Sequence, residues 1–147
     1  MNLSAWGVTG AVMCLALCAM GSAMGTGVAA SAAVGAWKKC YAQNKQAPFL
    51  LLAFVGVPLS QTLYGMILMF VMLPKVAAGF PLLVLGAFAG MAIGLSAYLQ
   101  GKAAAAADAQ AETGQGLTNY LAALGIIETA AIFVMVFTLA AIGKIPV

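Results

Sequence analysis

The feature that most constrains this chain is a set of four apolar runs that together take up nearly all of it. They extend from about Ala5 to Trp37, from Pro48 to Leu73, from Pro81 to about Glu112, and from Gly116 to Ile142. Each exceeds the roughly 20 residues needed to cross the hydrocarbon layer of a bilayer as a helix. Of the 147 residues, 65% are hydrophobic and 6% charged, whereas a soluble domain carries about 25% charged residues. Such a chain cannot cover a water-facing surface. The sequence therefore predicts an all-α integral membrane protein with four transmembrane helices and almost nothing outside the bilayer.

Three short links separate the runs: Lys38 to Ala47, Pro74 to Phe80, and a turn around Thr113 to Gly116. The first holds Lys38, Lys39 and Lys45, and Lys102 lies toward the end of the third helix; the opposite side has only Lys75 and Lys144. The positive-inside rule then places the first and third links in the cytoplasm and both termini outside. The net charge of +3 comes from these lysines, without a basic patch interleaved with aromatics, so no nucleic-acid partner is expected. Cys14 and Cys18 sit four apart on one helix and there is no histidine. Neither a disulfide framework nor a zinc site follows, and the cysteines read as small packing residues. No basic residue precedes the N-terminal run, which continues past the length of a signal peptide's apolar region, so it is expected to be a retained helix.

The two halves resemble one another. The first and third helices are rich in Gly, Ala and Ser, with Gly21 and Gly25, and Gly86, Gly90 and Gly94, at four-residue spacing. Small residues at that spacing let helices approach closely in lipid, and by themselves they indicate packing only. The second and fourth helices align with Gln61 opposite Glu128, Thr62 opposite Thr129 and Pro58 opposite Gly125. The expected organisation is two tandem hairpins in the same membrane orientation, residues 1–73 and 74–147, of which only the second carries a carboxylate.

That carboxylate, Glu128, stands in the middle of the fourth run. A charge at the bilayer centre costs roughly 2.5–3.5 kcal/mol on insertion scales, so an intramembrane Glu marks a functional site by default. In the second helix Val57, Ser60, Gln61 and Tyr64 fall at i, i+3, i+4 and i+7, one helical face. Polar side chains at that depth need protein partners. Pro58 removes a backbone donor and leaves the Phe54 carbonyl without its helical partner. Gln100 lies on the third helix. Counted from the cytoplasmic ends at about 1.5 Å per residue, Gln61, Gln100 and Glu128 all lie about 18–20 Å deep and can meet. One carboxylate, two amide oxygens, a hydroxyl and a carbonyl form an all-oxygen set suited to a hard, monovalent cation, whereas a divalent ion calls for more carboxylates. Tyr64 is placed to donate its hydroxyl hydrogen to Glu128. The plainer reading is a hydrogen-bonded knot that holds the helices together; a knot has no need of an ionisable member.

The tandem hairpins, the Glu within G-I-I-E-T of the fourth helix and the segment P-L-S-Q-T-L-Y of the second resemble the membrane rotor proteolipid of V-type ATPases, the duplicated c-type subunit, over the whole chain. The likeness is to its sodium-binding bacterial form, the K subunit. The resemblance implies a non-catalytic subunit, many identical copies of which form a ring that carries Na+ through the membrane while other subunits hydrolyse ATP. It implies Na+ ligands at Glu128, Gln61, Gln100, Ser60 and the Val57 carbonyl, with Tyr64 bonded to Glu128. Ser60 stands where the sodium-binding pattern has Thr, and Val57 where it has Leu; both changes keep the donor atom. Proton-carrying relatives need only the Glu, so H+ is the alternative cargo. The implied partners are a stator subunit bearing an Arg, central-stalk subunits at the cytoplasmic loops, and membrane lipid. The implied setting is the bacterial plasma membrane. A small four-helix secondary transporter also has one membrane Glu, but in its first helix and beside an aromatic cavity. Here the Glu is in the fourth helix and amides surround it.

Overall fold

The computed structural model describes residues 2–105 and 114–146, and among these residues there are helices and turns but no strand. Four helical spans are long and apolar enough to cross a membrane: Leu3–Ala42, Leu51–Ala78, Phe80–Ala104 and Leu117–Gly143. The first is one helix, α1 (Leu3–Ala42), opened by Asn2, whose side chain accepts from the Ser4 N–H at 3.1 Å. It runs past the expected end at Trp37, because no proline or glycine interrupts the chain from Trp37 to Ala42. It stops before Asn44, which adopts the left-handed conformation (φ 53°) that asparagine tolerates. Its 40 residues make about 60 Å at 1.5 Å per residue, twice the hydrocarbon thickness of a bilayer.

The second span is broken where its prolines fall. Helix α2 (Leu51–Gly56) passes into a 3-10 turn, Val57–Leu59, which contains Pro58, and then into α3 (Ser60–Met72). The link expected from Pro74 to Phe80 is largely helical instead: a 3-10 stretch, Leu73–Ala78, continues the span. Pro74 falls in its first turn and has no N–H to offer the Phe70 carbonyl of α3, and Lys75 beside it leaves helical geometry (φ −109°, ψ 15°). The chain then turns back at Gly79 (φ 66°, ψ −125°), a backbone conformation that a side chain would strain. Helix α4 (Phe80–Ala104) begins directly after it, with Pro81 in its first turn, and α5 (Leu117–Gly143) follows Gly116 (φ 87°). The expected end of the third helix near Glu112, and Thr113 in the third link, lie outside the described residues.

The closest packing is between α1 and α4. A Cβ added to Gly21 would overlap the backbone of Gly94, one on Gly101 would overlap Gly25, and one on Gly86 would overlap the Gly10 carbonyl. The small-residue stripes read from the sequence thus face each other and bring two backbones into contact. Gly10 is level with Gly86, Gly21 with Gly94 and Gly25 with Gly101, so the two helices run the same way. The second span runs against α1, with Val76 beside Gly7, Gly65 beside Cys18 and Pro58 beside Gly25. Helix α5 packs on α4 and α3. It buries only Leu124, Ala131, Thr138 and Ile142 and turns Ile126, Phe133 and Phe137 outward.

The interior is two apolar clusters with a polar layer between them. One cluster gathers Cys14, Cys18, Leu68, Met72, Ile93, Ala131 and Ile142; the other gathers Ala29, Ala33, Leu51, Phe54, Ala104 and Leu124. The three cysteines are buried and free, and the Cys18 thiol points to the Gly90 carbonyl at 3.8 Å, in keeping with a packing role. Between the clusters, at the level of Pro58 to Tyr64, come the side chains predicted to form the site.

Candidate functional site

The local break at Pro58 is what presents the first ligand candidates. Because the chain tightens into a 3-10 turn there, the Ser60 backbone N–H bonds to the Val57 carbonyl, and the Ser60 hydroxyl approaches the same carbonyl at 3.0 Å. That hydroxyl also lies 3.1 Å from Gln61 Oε1. It has one hydrogen to give, so it serves one of the two acceptors at a time.

Gln61 and Gln100 are fully buried. Gln61 Nε2 donates to Gln100 Oε1 at 2.8 Å, and Gln100 Nε2 donates in turn to the Leu124 carbonyl of α5 at 2.9 Å. These bonds join the second span, α4 and α5 through side-chain amides alone. Leu124 is one helical turn before Glu128, so the amide chain ends on the turn that carries the carboxylate. One turn along α3 from Gln61, the Tyr64 hydroxyl donates to Glu128 Oε1 at 2.6 Å, the short distance of a bond to an ionised acceptor. The side chain of Ser60 neighbours that of Tyr64. Glu128 is half-buried.

The structure therefore brings all six predicted residues into one layer. Val57, Ser60, Gln61 and Gln100 form one connected chain, and Tyr64 and Glu128 form a second pair beside it. Among the described residues no group of three or more His, Cys, Asp or Glu side chains stands together. The donors in the layer are oxygens with a single carboxylate, a chemistry that matches a hard monovalent cation better than a soft or divalent one.

Two contacts escaped the sequence reading. Ser96 of α4 donates to the Ile127 carbonyl at 3.0 Å, one residue before Glu128. It lies four residues before Gln100, so the same-face spacing that singled out the second helix was available here also. At the other end of the span, Lys75 donates to the Ile145 carbonyl at 2.6 Å and ties the end of α5 to the second span. No spacing rule reveals a bond to a main-chain carbonyl that far along the chain.

No protein-family model matches the chain, and no curated protein matches it.

Proposed function

We propose that this chain is the ion-carrying rotor subunit of a V-type rotary ATPase, and that Na+ is its cargo at Glu128. The observation that carries the reading is the Tyr64–Glu128 hydrogen bond set beside the buried Gln61–Gln100 pair, at mid-span in helices apolar enough to cross a membrane. A carboxylate at that depth is costly unless it does something. Paired with one monovalent cation it becomes neutral, and the loaded site can then face lipid.

In this reading Glu128 supplies the compensating charge, and Gln61, Gln100, Ser60 and the Val57 carbonyl replace the water around the ion. Tyr64 holds the carboxylate in the binding rotamer. The same-direction pairing of α1 with α4, and of the second span with α5 (Phe54 against Tyr120, Tyr64 against Glu128), supports two like hairpins in tandem. Identical copies would form a ring with α1 and α4 inside and the second span and α5 outside. A stator subunit with an Arg would favour release of the ion, and central-stalk subunits would meet the lysine-bearing cytoplasmic loops. The setting is the bacterial plasma membrane, with both termini outside. The chain itself would catalyse no reaction; ATP hydrolysis belongs to other subunits.

The test is modification of Glu128 by a hydrophobic carbodiimide in the purified protein, with and without sodium, across pH. The reagent attacks the protonated carboxyl, so bound sodium protects it. Protection by millimolar sodium and not by potassium supports a sodium rotor. Labelling that follows pH and ignores sodium assigns H+ as the cargo. A Glu128 that never reacts removes the rotor reading.

A further inference from the structure

Among the described residues, helix α5 carries the only carboxylate in the layer, yet it is the least anchored of the four spans. Four of its residues are buried, against eleven on α4. In lipid, the apolar faces of two helices gain little by leaving the acyl chains for each other, so packing and interhelical hydrogen bonds must hold them together. On the α4 side, two such bonds reach α5: Ser96 Oγ to the Ile127 carbonyl at 3.0 Å, and Gln100 Nε2 to the Leu124 carbonyl at 2.9 Å. The donors are one turn apart on α4, and the acceptors are three residues apart on α5. Together they grip the turn that leads into Glu128 at two points, fixing both the rotation of α5 about its axis and its height against α4. Gln100 belongs to the proposed ligand set, whereas Ser96 has no part in it.

We infer that Ser96 is a positioning residue: its bond to the Ile127 carbonyl sets the orientation of α5 that keeps Glu128 within reach of Tyr64 and of the amide oxygens. The inference rests on the ion-carrier reading for its functional consequence, but the clamp itself can be tested without it. Losing the hydroxyl frees α5 to turn while Gln100 still holds one carbonyl. The carboxylate then spends less time at 2.6 Å from Tyr64, and any ion bound there loses its best-placed oxygen. A hydroxyl on a β-branched side chain restores the bond, so threonine rescues where alanine fails.

The experiment compares wild type, Ser96→Ala and Ser96→Thr as full-length protein in detergent, by two readouts. The first is backbone hydrogen–deuterium exchange. Ser96→Ala should speed exchange at least threefold in the turn from Leu124 to Ala131 and leave α1 unchanged, and Ser96→Thr should restore it. Unchanged exchange in that turn removes the clamp, whatever the protein transports. The second is the sodium concentration that half-protects Glu128 from carbodiimide, expected to rise at least threefold in Ser96→Ala and to return with Ser96→Thr. Faster exchange with an unmoved sodium midpoint would make Ser96 a packing residue and overturn the positioning role. If wild-type Glu128 responds to pH but not to sodium, the sodium reading fails, and the midpoint of labelling against pH takes the place of the sodium midpoint with the same expected order of variants. Should Ser96→Ala not fold, Ser96→Cys, of similar size and with a weaker donor, should fall between wild type and complete loss of both readouts, and wild-type behaviour of that variant would count against the clamp.

Discussion

Gln61 and Gln100, from different spans and both fully buried, are joined by a 2.8 Å hydrogen bond from Nε2 of the first to Oε1 of the second. The bond fixes the identity of each amide's ends. Because the Gln100 N–H group is held by the Leu124 carbonyl, its oxygen must face the second span. Gln61 is left with its own oxygen beside Ser60. The two amide oxygens thus have fixed directions within the layer.

Gln100→Leu is expected to weaken sodium protection of Glu128, raising the half-protecting concentration more than tenfold, because it removes an oxygen and frees the Gln61 amide. It also leaves the Gln61 N–H group without a partner in the apolar interior. Thermal unfolding in detergent should show a loss of about 1–2 kcal/mol, at the upper end for interhelical hydrogen bonds in membranes.

Tyr64→Phe keeps the ring and deletes the hydroxyl that donates to Glu128. The fold should persist, since Tyr64 is half-buried and its apolar ring is retained. Carbodiimide should modify Glu128 faster at a given pH, and the half-protecting sodium concentration should rise several-fold as the carboxylate samples other rotamers. An unchanged labelling rate would mean that the hydroxyl does not constrain the carboxylate.

Glu128→Gln should remove carbodiimide labelling altogether while leaving the protein folded and at least as heat-resistant as wild type. A neutral amide of the same shape escapes the roughly 2.5–3.5 kcal/mol cost of a charge at mid-bilayer. A large loss of thermal stability would instead give the carboxylate a structural role.

The glycines of α1 separate into two classes that one pair of variants can tell apart. Gly21→Val forces a side chain into the Gly94 backbone and should cost about 3 kcal/mol, the upper end for overpacking. Gly27→Ala meets nothing within 4 Å in the isolated chain. It should change stability by no more than about 1 kcal/mol, in the stabilising direction given alanine's helix propensity. Thermal unfolding of the detergent-solubilised protein checks both.

The four spans were legible in the sequence because a bilayer imposes a length and an apolar composition that few other structures require. The polar face of the second helix was legible too, since Val57, Ser60, Gln61 and Tyr64 share a helical stripe. The ends of the elements were harder to read. Pro74, which opens the expected link, sits inside a 3-10 stretch, and the chain turns back only at Gly79, near the far end of that link. The pairs across spans were only partly legible. Depth counting brought Gln61, Gln100 and Glu128 together, but bonds to main-chain carbonyls, such as Ser96 to Ile127 and Lys75 to Ile145, depend on rotation and height that no one-dimensional pattern encodes.

The glycine contact between α1 and α4 also divides the molecule mechanically. Where two backbones touch, there are no side chains to swing aside, so that pair behaves as a stiff beam with no slack for sliding or bending between its halves. Helix α5, with few buried side chains and a handful of hydrogen bonds, is hung on the outside of the beam. Under load α1 and α4 should move as one, and yielding should begin in the helix that holds the carboxylate, which of the three has the fewest buried residues.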